Sequence, residues 1–313
     1  MKLRLVTLAS AIFIATYSPS LLAEVALPQE LTAEQQAQMT KLNAILKDQH
    51  PQSGNVSLAA AKATLRLGDK YYFLDAEESR KVLVDGWGNP PSAADGVLGM
   101  VFPAGKTFLD DTWGAVLSYE QSGYVNDEDA KSTDYDELLT TLQSGEAETN
   151  EARKSGGYEP LHLVGWAQQP NYNPKNHSVI WAQNIKFGTQ SDNSLNYDVR
   201  LLGRHGVLSL NLLSSMSKLP EITEAARVFG ESASFNEGAR YADFNKDTDK
   251  IAEYGVGGLV AAGLGIAAAK KLGFLAIALG LGKKLFVFIA IGFFALRNKV
   301  MALFRRNKDT LEG

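Results

Sequence analysis

Residues 195–213 read LNYDVRLLGRHGVLSLNLL, and this stretch decides the fold. Leu195, Tyr197, Val199 and Leu201 alternate with Asn196, Asp198 and Arg200, the period of two that sends apolar side chains to one face of a strand and polar ones to the other. Gly203 and Gly206 bracket a GRHG turn, and residues 207–213 follow as a second strand, so the two pair as an antiparallel hairpin. The pattern implies one buried and one wet face, with Asn196, Asp198 and Arg200 on the wet side. Residues 179–187 alternate in the same way and extend the hairpin to a three-stranded meander.

Working outward, Pro220 near a helix start, apolar Ile222, Ala226 and Phe229 along it and Gly230 after them predict a helix that covers the meander's apolar face. A short strand follows at residues 233–235. Upstream, strand signals at 64–67, 71–74, 97–102 and 115–119 are each bounded by Gly, Asp or Pro. Helices are predicted over 31–49, where Met39, Leu42, Ile45 and Leu46 share a face, over 76–87, and over 134–153, the last polar on most sides. The expected fold is therefore α+β, an antiparallel sheet covered by helices, plus a C-terminal transmembrane helical segment. Its layout is similar to that of PsbP-like proteins, an analogy of topology that carries no function.

The two ends of the chain carry the location signals. Met1 to Ala23 has Lys2 and Arg4, an apolar run over 5–17, then Pro19 and a short polar region, the three parts of a secretory signal. Cleavage is expected before Glu24; Leu21, where a small residue is usual, keeps an uncleaved signal anchor as the competing reading. Residues 255–296 are almost wholly apolar, broken by Lys270-Lys271 and Lys283-Lys284. The best single span, 272–296, balances roughly 4.5 to 9 kcal/mol of apolar insertion against about 5 to 7 kcal/mol for two central lysines. Gly257, Ala261, Gly265, Ala269 and Gly273 recur every four residues, a small-residue seam of the kind that lets membrane helices pack. Arg297, Lys299, Arg305, Arg306 and Lys308 follow, an excess of positive charge expected to stay in the cytoplasm.

The expected organisation is a signal peptide (1–23), an N-terminal helical arm (24–54), an exported α+β domain (55–250), a membrane anchor (251–304) and a basic cytoplasmic tail (305–313). The expected location is the bacterial inner membrane with the main domain in the periplasm. Residues 24–250 carry 20 Lys and Arg against 32 Asp and Glu, a net charge of −12, which argues against nucleic acid as a partner. The chain has no cysteine, so thiol chemistry, disulfides and cysteine metal sites are all excluded.

Several long strings carry a family resemblance: VLVDGWGNPP from Val82, LGMVFP from Leu98, DDTWGAVLSYEQSGYVNDEDA from Asp110, GYEPLHLVGWAQQPNYN from Gly157, LNYDVRLLGRHGVLSLN from Leu195 and GARYADFN from Gly238. The chain resembles the bacterial membrane-anchored proteins grouped as domain of unknown function 2167. That resemblance implies a signal peptide, a periplasmic-type domain and a C-terminal anchor. It implies no activity, and no cofactor is expected.

Catalytic and metal patterns are sparse. From Asp127, the acidic loop lacks the glycine and the twelfth-position acid of an EF-hand, since Ser132 and Leu138 stand there. His50, His162, His177 and His205 have no metal spacing, and no serine lies in a glycine elbow. Asp85 and Asp110 are candidate carboxylates for an envelope enzyme. Two loops suit recognition: the rigid Trp87-Gly88-Asn89-Pro90-Pro91 segment, which suits plugging a core equally well, and the loop with Tyr124, Asp127 and Asp129. Trp113, Trp166 and Trp181 read as core. The leading functional expectation is a binding or scaffold module at the inner membrane, with a protein partner or self-association through the anchor. An envelope enzyme and a small-ligand carrier stand as alternatives.

Overall fold

Alternating strands of this length cannot hide their apolar faces alone, and here they are gathered into one antiparallel sheet covered on both sides. The structure, a computed structural model, describes residues 33–189 and 191–263. Helix α1 (Ala33–Lys47) precedes β1 (Gln52–Leu58) and the long β2 (Ala63–Asp75), which runs through Gly68 and joins the two short strands read from sequence. Next come α2 (Ala76–Arg80), prolonged by a π-helical turn over Lys81–Gly86, then β3 (Val97–Pro103) and β4 (Gly114–Glu120). The predicted 134–153 helix is divided at Gly145 into α3 (Tyr135–Ser144) and α4 (Glu146–Ser155). Strands β5 (Leu161–Asn173), β6 (Ser178–Phe187), β7 (Ser194–Leu202) and β8 (Val207–Ser215) lead to α5 (Leu219–Ser232), β9 (Ala233–Phe235) and α6 (Val256–Gly263). The strand order is β1-β2-β3-β4-β8-β7-β6-β5, with β9 pairing beside β2.

Helix α5 covers one face. Ile222, Ala225, Ala226 and Phe229 pack on Leu195, Tyr197, Val199 and Leu201 of β7 and on Leu208, Leu210 and Leu212 of β8. Trp113 stands edge-on to Phe229, and its indole nitrogen donates to Glu221 Oε1 at 3.1 Å. On the opposite face lie two apolar clusters. One joins α1 and the π-helical turn to β3 through Leu42, Leu83, Trp87, Met100, Phe102 and Phe108; the other joins α3 and α6 to β6 through Leu138, Leu142, Trp181, Val256, Leu259 and Val260.

Between those clusters runs the face expected to be wet, and it is buried. Every residue of β7 is buried. Register places Val116, Asn211, Asp198 and Trp181 side by side across β4, β8, β7 and β6, a polar pair between two apolar residues. Asp198 is 1 % exposed and Arg200 4 %. The alternation is as read; the physical reason for the difference is that helices pack on both faces of this sheet, which periodicity within a strand cannot reveal.

The C-terminal transmembrane helical segment is corrected by the same packing. Among the described residues no helix is long and apolar enough to cross a membrane. Helix α6, where the apolar run starts, is eight residues long, and its Val256, Leu259, Val260 and Ala261 are buried in the protein's own core. Of the seam, Gly257 serves this packing: a Cβ there would stand 2.5 Å from Thr133 Oγ1, so glycine permits the close approach. Ala261 is likewise buried within the domain, while Gly265, Ala269 and Gly273 lie outside the described residues, as do the signal peptide, the tail and the lysine pairs. Apolar composition alone cannot tell the interior of a protein from the interior of a bilayer.

Candidate functional site

At one end of the sheet, four segments converge: the exit of β4 over 121–127, the β5–β6 turn, the β7–β8 turn and the stretch before α6. They are tied by backbone. Gly123 N donates to His205 O at 3.1 Å, Tyr124 N to Lys250 O at 2.8 Å, and Ala252 N to Tyr124 O at 2.8 Å. Gly123 has φ of +101°, and a Cβ there would meet Lys250 O at 2.6 Å, so only glycine fits.

This frame stacks four rings. Phe244 lies on Tyr124 (centroids 3.8 Å, planes 15° apart), Tyr124 on Tyr241 (4.4 Å, 28°), and Tyr241 on His177 (4.1 Å, 24°). Tyr241 is anchored by its hydroxyl, which donates to Val125 O at 3.0 Å, and burial raises its phenol well above the usual range, helped by neighbouring Tyr124.

Beside the column stands a chain of three polar side chains. Tyr172 donates its hydroxyl proton to Asp127 Oδ2 at 2.5 Å, and the same oxygen lies 3.0 Å from His177 Nδ1. Asp127 Oδ2 is itself 4.0 Å from that nitrogen. Burial first, and then the bond to Asp127 and its charge, push the Tyr172 phenol far up, so the proton stays on its oxygen. Asp127 and His177 side chains remain about one-third open, at 31 % and 32 % exposure.

His177 reaches this position through an unusual backbone. Its φ is +49°, one of two positive values outside glycine among the described residues, and its carbonyl accepts from Leu202 N at 2.8 Å. Histidine is among the side chains that enter the left-handed region more readily than most, and the turn uses this to aim the ring at Tyr241.

The assembled geometry has a sequence-level counterpart. A family model described as "Protein of unknown function (DUF2167)" matches residues 50–294. The chain belongs to that family. No curated protein matches this DUF2167 chain. A solved structure of cyanobacterial PsbP (CyanoP) from Synechocystis sp. PCC 6803 is similar over 60 % of this chain and 92 % of that one, at 9 % identity. Its TM-score of 0.33 carries no argument about fold or function.

In this DUF2167 member the residues singled out from sequence part ways. Tyr124 and Asp127 join the cluster. Asp129 points elsewhere: its two carboxylate oxygens accept from Val256 N at 2.8 Å and Gly257 N at 3.0 Å, capping α6. Trp87 is buried edge-on to Phe102 and donates from its ring nitrogen to Phe108 O at 3.3 Å. Asn89 donates to Leu83 O at 2.9 Å, and Pro90 O accepts from Ala93 N at 2.8 Å, so this loop closes the core.

Asp85 pairs with Lys41 on the surface at 3.1 Å, while Asp110 closes its own turn onto Thr107 N at 2.7 Å. His50 and His162 lie beside Glu78 and Glu146, and among the described residues no group of three acidic, histidine or cysteine side chains could hold a metal ion. Tyr172, Tyr241 and Phe244 were not singled out from sequence, and His177 was weighed there only for metal spacing. Their one local signal is the Asn-Pro-Lys-Asn-His turn over 173–177, whose composition permits a left-handed residue.

Proposed function

We propose that this chain is an exported binding module, acting in the bacterial periplasm, that engages a partner through the loops at the end of its sheet. The observation that carries this reading is the Asp127–Tyr172–His177 chain set against the four-ring column. It is a partly open polar and aromatic surface on a backbone-tied frame, with a strained turn aiming one of its members. The secretory composition of Met1 to Ala23 and the net charge of −12 over residues 24–250 support export and a partner other than nucleic acid.

A photo-crosslinking side chain at exposed Asn126 or Lys175, compared with one at exposed Asp69 on β2, tests the reading in cells. The expected outcome is a discrete crosslinked species from 126 and 175, not from 69, that disappears when His177→Ala is added. Equal crosslinking from all three positions, or monomer alone, would refute it.

A further inference from the structure

We propose that the sheet-end cluster binds an organic cation bearing N–H donors, a protonated amine or a guanidinium, through His177 Nε2 and Asp127 Oδ1. This rests on the binding reading above and assigns the chemistry of the ligand.

A phenol has one proton, and Tyr172 gives it to Asp127 Oδ2, since a carboxylate only accepts. The Tyr172 oxygen can then serve His177 only as an acceptor, so at 3.0 Å the hydrogen sits on Nδ1. In the neutral ring this leaves the lone pair on Nε2. Asp127 Oδ1 takes no hydrogen bond from the described residues, because the tyrosine contact uses Oδ2. The two groups the cluster offers a ligand are therefore both acceptors, and they call for a donor.

Charge decides which donor. Asp127 carries the negative charge of the cluster, with exposed Glu128 beside it on a body of net −12. The nearby arginines are already neutralised: Arg204 holds Asp249 by two bonds of 2.7 and 3.0 Å, and Arg240 lies against Glu237 and Asp243. Phe244, the partly buried ring at the end of the column, has one face stacked on Tyr124, and an aromatic face, unlike an edge, favours a cation over an anion. Lys175, exposed in the same turn, opposes this field, so removing its charge should strengthen binding rather than weaken it.

Spermidine can supply the cation as a free amine, and an oligolysine peptide as the basic segment of a protein partner. Nitrogen-15 NMR of the histidine rings in the full chain reads the tautomer and the response of Nε2 together. The expected result is an Nδ1-protonated His177 whose Nε2 shifts with spermidine or oligolysine, and the stronger of the two identifies the source. Asp127→Asn, which still accepts from Tyr172, should weaken binding about tenfold or more. Lys175→Gln should tighten it roughly two- to threefold.

An Nε2-protonated ring would overturn the proton count. A response to maltose or inorganic phosphate instead of either cation would overturn the ligand class, as would no response to any of the four probes. In each of these cases surviving crosslinks at 126 and 175 would leave the binding module standing, whereas their loss would sink that reading by itself.

Discussion

Asp198 and Arg200 in the middle of β7, and Asp127, Tyr172 and His177 at the end of the sheet, use similar side chains at different depths, the first pair enclosed and the second group partly open. The mid-sheet pair is enclosed: Arg200 meets Asp198 Oδ1 at 3.0 Å, its guanidinium lies 5.2 Å from the centre of the Trp181 ring, and Gly263 of α6 packs over both. Yet among the described residues Asp198 Oδ2, Asn211 Oδ1 and Trp181 Nε1 find no hydrogen-bond partner. The sheet-end cluster is about one-third open at Asp127 and His177, and its contacts are ordered in a chain. Burial makes the first arrangement costly to disturb and inaccessible to a partner; partial exposure makes the second cheap to alter and available. The contrast separates polar residues that hold a fold from those that can meet a ligand.

The largest effect is expected from removing half of the buried pair. Arg200→Ala leaves Asp198 enclosed without its counter-charge and should cost about 3–5 kcal/mol by urea denaturation. Replacing both at once, Asp198→Leu with Arg200→Met, should recover most of that loss, because no buried charge then remains. A double variant as unstable as the single one would show that the pair does more than neutralise itself.

The pH dependence of stability sharpens the same point. Burial raises the Asp198 carboxyl above its ordinary value of 3.8, with Arg200 pulling the other way and failing to cancel it. The folded protein therefore holds this proton at higher pH than the unfolded chain does. The stability it contributes is full below pH 3.8 and is lost as pH rises through the folded value. Asp198→Asn should remove that fall from a denaturation series across pH. Asp249 works in the opposite sense: its hydrogen bonds with Arg204 hold its carboxyl well below 3.8, so its contribution is present above that pH and lost in acid.

Smaller effects are expected where contacts lie nearer the surface. Asp129→Ala strips the N-terminal cap from α6 and should cost about 1–2 kcal/mol, with α6 amides exchanging faster by hydrogen–deuterium exchange. His177→Asn keeps a side chain that accepts a left-handed backbone, and should change stability by only about 0.5 kcal/mol while abolishing the crosslinks from 126 and 175. A large loss of stability there would move this cluster into the same class as the mid-sheet pair.

Much of the fold was legible because its evidence is local. The alternation in 195–213, the glycines around the GRHG turn, Pro220 and the apolar spacing of Ile222, Ala226 and Phe229 each specify a strand, a turn or a helix face within a few residues. Strands β1 and β5 were not read as such. β1 opens on QSGN with little apolar content, and β5 breaks its alternation at irregularities around Gly165 and Gln168. Of the candidate site, Tyr124 and Asp127 were visible as an aromatic-acidic loop, but Tyr172, His177, Tyr241 and Phe244 come from two other segments. Their relation to that loop arises only through the Tyr124–Ile251 bridge and the β5–β6 turn.

The sequence by itself determined the secondary structure of the meander, the covering helix, the acidic charge and the absence of cysteine chemistry, because each depends on residue identity or on spacing along one element. Tertiary structure alone decided that the polar face of β7 is buried, that the start of the apolar run packs into the domain, that Asp129 caps a helix while Asp127 joins a histidine, and that four distant rings form one column. Burial and hydrogen bonding are properties of what packs against a residue, and a period along the chain records which way a side chain points but not what it meets there.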